Sequence, residues 1–186
     1  MSIKQRLVTA EELWDMPDVP GKGFELVDGE VVEVSPASLR HGLIATMLAG
    51  RLSAYTHQHQ LGLVTGDNVG YVLRRNPDSM RAPDVSFIAR EQIPTGDDLD
   101  RFVEGAPTLA VEIVSPNDRA VEIDERVQDY LAAGTRQVWV LRPNRRAVSI
   151  YFPDADTREL GPDATVDGGD ILPGFGVRVG DLFEIE

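Results

Sequence analysis

The chain has no cysteine among its 186 residues. Disulfides, thiolate zinc sites, iron–sulfur clusters and cysteine nucleophiles are therefore excluded. Lysine is nearly missing as well. Of the 18 basic residues only Lys4 and Lys22 are lysines, so positive charge beyond Lys22 is carried by arginine. No apolar run reaches the roughly 18–20 residues that span a bilayer. The opening stretch MSIKQRLVTAEELWDM has no uninterrupted apolar segment of the kind a secretory signal contains. A cytoplasmic location without membrane association is the matching expectation.

What is present suits a folded domain: 42% hydrophobic and 26% charged residues supply a core and a solvated surface, read as one domain over residues 1–186. The net charge of −13 opposes non-specific contact with a polyanion. Nucleic acid would have to be met through a local basic patch, a metal ion or a partner.

Turn and cap signals divide the chain. Thr9-Ala-Glu-Glu12 is a capping box opening a short helix that Pro17 closes. Asp28-Gly29 lies between two strand-like runs within 24–34 and marks an N-terminal hairpin. Ser38 caps a longer helix reaching about Gln58, with apolar residues near helical spacing. Strands are predicted over 62–65, 68–74 and 84–89, and 90–107 reads as a polar, irregular surface loop. An apolar strand from Thr108, a helix over 119–133 stopped by Gly134, and the strand Gln137–Leu141 form a crossover that calls for parallel pairing. Residues 147–152 continue as strand. The segment from Ser149 onward holds nine acids and two arginines, and its Asp/Gly-rich stretches read as solvated turns lacking the ligand spacing of a calcium loop.

Two carboxylates stand out. Glu112 interrupts Leu109-Ala-Val-Glu-Ile-Val114, and a charge in a buried strand is costly unless a cation or hydrogen bonds satisfy it. Asp84 follows Pro83 and opens Val85-Ser-Phe-Ile88. On neighbouring strands the two would offer hard oxygen donors to Mg²⁺. Each also has a plainer explanation: Asp84 as a turn residue, Glu112 as an edge or ion-pair residue. Glu25, by alternation in its strand, reads as an outward-facing polar residue. Arg126 lies at the border of the next helix's apolar stripe. There it could raise its head into a site, or pair with Glu122 four positions away. His41, His57 and His59 form no zinc motif, and phosphate-binding and dinucleotide loops are lacking.

Six short motifs in order are Phe24-Glu-Leu-Val-Asp-Gly29, His41-Gly42, Arg81-Ala-Pro-Asp-Val85, Val111-Glu-Ile-Val-Ser-Pro116, Tyr130-x-x-Ala-Gly134 and Val138-Trp-Val-Leu141. Together they resemble the Uma-two family, within the restriction-endonuclease-like superfamily whose signature is Pro-Asp, a spacer, then Asp/Glu-x-Lys. The resemblance runs from Thr9 to about Phe183. It implies an α/β fold with a mixed central sheet of four or five strands flanked by helices. It also implies a Mg²⁺-dependent phosphodiester hydrolase site, with Mn²⁺ as a substitute ion. Asp84 and Glu112 would be metal ligands, Glu25 a further site and metal residue, and Arg126 the catalytic cation.

The sequence departs from that pattern in its cation. Val114 occupies the parent superfamily's lysine position. Arg126 stands on the following helix where the family carries a lysine. Arginine keeps its proton at any working pH, so its contribution would be positioning and electrostatics rather than base chemistry. An endonuclease acting on nucleic acid, DNA before RNA, and assembling as a homodimer is the expectation. The rival is a catalytically weakened relative serving as a binding or assembly module, favoured by the −13 charge and the lysine-to-arginine change.

Overall fold

A computed structural model of the chain describes residues 6–17, 19–20, 22–66 and 69–184. Helix α1 (Ala10–Trp14) opens on the expected capping box, Thr9 accepting from the Glu12 amide while Glu12 reaches back. Strands β1 (Gly23–Val27) and β2 (Glu30–Val34) follow, joined through Asp28 and Gly29 at φ 52° and 80°. Positive φ at both positions is what a two-residue turn matching strand twist requires. Helix α2 (Leu39–Gln58) begins where Ser38 accepts the His41 amide.

Next come β3 (Gly62–Thr65), β4 (Tyr71–Arg74), β5 (Ser79–Arg81) and β6 (Val85–Ala89). The strand expected from Asn68 starts at Tyr71; Asn68 itself lies outside the described residues. The segment expected to be an irregular loop is more ordered than that. It contains two short 3-10 turns and β7 (Val103–Glu104), which pairs parallel to β4. The Val103 amide donates to the Gly70 carbonyl and that of Gly105 to Val72, so pairing rather than local composition makes this strand.

The second half holds β8 (Leu109–Ile113), α3 (Ala120–Ala132), β9 (Gln137–Arg142) and β10 (Ala147–Tyr151). It ends with β11 (Arg158–Leu160), β12 (Thr165–Gly168) and β13 (Leu172–Arg178). Gly134 at φ 104° stops α3, as its place just beyond the helix predicts.

Two main sheets result. The larger has six strands in the order β11-β10-β9-β8-β6-β3, and the smaller has five in the order β2-β1-β5-β4-β7. The crossover β8–α3–β9 joins parallel neighbours, while β6 pairs antiparallel to β8. This is the α/β architecture with a mixed sheet, flanking helices and an N-terminal hairpin. Its strand count exceeds four or five because the meander β9-β10-β11 extends the sheet on one side and β3 on the other.

Alternation along β8 divides two clusters. Leu109, Val111 and Ile113 pack with Ile44, Leu48 and Leu52 of α2, and with Leu172, Phe175 and Val177 of the C-terminal hairpin. Ala110 packs on the other face with Ile123, Val127 and Tyr130 of α3. The smaller sheet closes over α1 through Ala10, Leu13, Leu26, Val72 and Met80. Among the described residues no helix is long and apolar enough to cross a membrane.

Candidate functional site

Glu112 shares a strand face with Ala110 by the two-residue period, so it is directed toward α3. Glu112 is 6% exposed. The Tyr130 hydroxyl donates to its Oε1 at 2.9 Å, and Arg126 Nη1 lies 3.8 Å from the same oxygen. Burial pushes the Glu112 carboxyl up to about 8; Arg126 and the Tyr130 hydrogen bond oppose the shift, while the charges of Asp84 and Glu25 add to it. Burial, then Glu112 and Glu25, likewise raise the Tyr130 phenol well above its ordinary value.

Asp84 stands immediately before β6, in which Val85 pairs with Val111 of β8. Extending that antiparallel register by one residue sets Asp84 opposite Glu112. The contacts agree with the register. Asp84 Oδ2 accepts the Ile113 amide at 2.6 Å, one residue beyond Glu112. Asp84 Oδ1 lies 2.9 Å from His41 Nε2 of α2. Both His41 and Asp84 open onto a groove of about 560 Å³ between α2 and β3, floored by small residues including Ala45, Ala49 and Gly50.

Glu25 is not outward-facing. It is 1% exposed, because the face of β1 opposite Leu26 is covered where α3 approaches the smaller sheet. Both its oxygens are engaged. Oε1 accepts from Arg126 Nη1 at 2.6 Å and from the Ala82 amide at 3.1 Å, and Oε2 accepts from Arg81 Nη1 at 3.0 Å. Arg81 also grips Asp129 Oδ2 through Nε at 2.9 Å and Nη2 at 2.7 Å.

Arg126 therefore turns inward to Glu25 and Glu112, and Arg119 is the partner of Glu122 at 3.8 Å. Burial works against the Arg126 charge, but Glu112 and Glu25 hold the guanidinium protonated beyond its ordinary range. Three of the four sequence candidates come together, Arg126 meeting both Glu25 and Glu112; Asp84 is held instead by the Ile113 amide and His41 and acts on Glu112 through its charge. Among the described residues no group of three or more His, Asp or Glu side chains is arranged to hold a metal ion.

Arg81, Asp129, Tyr130, His41 and Ser115 complete the surroundings without having been singled out for these contacts. Arg81, His41, Ser115 and Tyr130 each sit in one of the six short motifs, and no local signal points to Asp129.

A mixed six-stranded sheet with a parallel crossover, acids at the meeting of β6 and β8, and a cation on the crossover helix define a restriction-endonuclease-like fold. The model of the Uma2 family, described as "Putative restriction endonuclease", matches residues 10–180, and the chain belongs to this family. A solved structure from Anabaena variabilis, described as "a putative nuclease belonging to DUF820", superposes with a TM-score of 0.80 at 20% identity. The match covers 95% of this chain and 97% of that one. No curated protein matches the chain.

Proposed function

We propose that the chain is a Mg²⁺-dependent endonuclease acting on nucleic acid, with DNA as the substrate to test first and Mn²⁺ as a substitute ion. One observation supports this above the others. Asp84, one residue before β6, is close enough to Glu112 of the neighbouring β8 that its charge raises the proton affinity of the Glu112 carboxyl.

The donor chemistry fits the ion. Mg²⁺ keeps several waters and is commonly bound through only one or two carboxylates plus a substrate phosphate, so two acids suffice. Held there, the ion would offset phosphoryl charge and acidify an attacking water. Asp84 and Glu112 would hold it, Glu112 giving up its proton as the cation enters. Tyr130 orients Glu112. Glu25 serves Arg126 rather than the metal, since its oxygens already accept three donors. Arg126, 20% exposed, presents fixed positive charge to the transition-state phosphate.

The rival module is favoured by a different fact: the cation beside the acids is an arginine already engaged by Glu25. A plasmid-nicking assay with Mg²⁺ or Mn²⁺ separates the two. Cleavage by wild type and none by Asp84→Asn supports the nuclease. No cleavage, with no Mn²⁺ binding by the folded protein in calorimetry, supports the module. Equal cleavage by both proteins rejects the role given to Asp84.

A further inference from the structure

Asp84 precedes β6 and lies outside the strand ladder, so nothing in the backbone pairing fixes the rotation of its carboxylate. Two side contacts do. The Ile113 amide of β8 holds Oδ2 at 2.6 Å, and His41 of α2 meets Oδ1 at 2.9 Å. One partner on each oxygen sets the plane of the group and leaves a lone pair on each for another ligand.

The imidazole is itself held. Its Nδ1 lies 3.1 Å from the Ser115 hydroxyl, two residues beyond β8, and its backbone amide donates to Ser38 at 3.3 Å. In the neutral ring one tautomer satisfies both side-chain contacts. Nε2–H donates to Asp84, and Nδ1 accepts from Ser115. His41 thus ties the first turn of α2 to the start of β6 and the end of β8. It also borders the groove with Asp84.

We infer that His41 is a positioning residue that fixes the Asp84 carboxylate for a divalent cation, with Ser115 fixing the ring in turn. This rests on the proposal that Asp84 and Glu112 hold such an ion. Partners of this kind orient metal-binding side chains, and losing one typically costs about 10-fold to 100-fold in metal affinity.

Mn²⁺ titration calorimetry on the full chain tests it, with circular dichroism and thermal midpoints recorded beside each titration. His41→Leu removes both ring contacts and is expected to weaken Mn²⁺ binding by about 10-fold or more. His41→Gln places an amide N–H near the position of Nε2 and is expected to recover most of the affinity. His41→Asn is too short to reach Asp84 and is expected to bind as weakly as His41→Leu. The Gln/Asn comparison decides the matter even where His41→Leu fails to fold, since both amides remove the ring alike. Equal affinity in Gln and Asn variants, or wild-type affinity in a folded His41→Leu, overturns the role of His41 alone. A wild type that binds no Mn²⁺ overturns the proposed metal site, and this role with it.

Discussion

Arg126 Nη1 and Glu25 Oε1 meet at 2.6 Å across 101 residues of sequence, joining the crossover helix to the N-terminal hairpin. The contact sits inside a buried set that also contains Arg81, so the smaller sheet is attached beside the catalytic candidates by charge as well as by apolar packing. Removing either arginine leaves buried carboxylate with less counter-charge than it has in the wild type.

Arg81→Met is expected to cost about 3–5 kcal/mol, because Glu25 and Asp129 both lose their shared partner. Arg126→Met is expected to cost less, since Arg126 is more exposed and Glu25 keeps Arg81 and the Ala82 amide. Urea unfolding midpoints of the two variants measure this directly. An Arg81→Met protein as stable as wild type would show that the network adds nothing.

The Glu112 carboxyl, pushed up to about 8 chiefly by burial, makes stability depend on pH in a defined direction. The unfolded chain releases this proton near the ordinary glutamate value of 4.5, whereas the folded chain retains it to about 8. The native state therefore binds more protons across that window. Its contribution is fully present below 4.5 and is lost as pH rises toward 8. Glu112→Gln removes the dependence, so its stability relative to wild type rises between pH 5 and pH 8. Thermal unfolding at several pH values, without divalent ions, reads this out; a constant difference would contradict it.

On the proposed metal site, the same proton would couple to the ion. Mn²⁺ binding is expected to release a proton and to tighten as pH rises toward 8. Calorimetry in buffers of different ionisation enthalpy counts the protons released. Binding that is flat from pH 6 to 8 would mean that Glu112 does not contact the cation.

Arg126 can be tested against the lysine that the family pattern leads one to expect. In Mn²⁺-supported plasmid nicking, Arg126→Lys is expected to cleave at least as fast as wild type. Arg126→Met is expected to lose about 10²-fold or more through the missing positive charge. Undiminished cleavage by the methionine variant would remove Arg126 from the chemistry.

The hairpin, the two capped helices and the crossover were legible because each is written locally: Asp28-Gly29, Thr9 and Ser38, and Gly134 specify backbone conformations by themselves. Glu112 was legible for a related reason, as a charge breaking an apolar strand. Glu25 was not. Alternation says that it faces away from Leu26, but not that α3 covers that face as well. The contact of His41 with Asp84 and the pairing of β7 with β4 are products of tertiary approach, and no local pattern encodes them. The strands β12 and β13 were hidden by their glycines. Leu172-Pro-Gly-Phe-Gly-Val-Arg178 becomes a strand only through its partner and the apolar cluster it covers.

The carboxylate-bearing β8 has strands on both sides, parallel β9 and antiparallel β6, with a helix over each face. Its amides point alternately to the two covered flanks, which places them among the slowest in the molecule to exchange with deuterated solvent. Breathing motions at the sheet margins thus leave Glu112 where it is. On the proposed function, an incoming phosphodiester would therefore meet this carboxylate on a fixed strand.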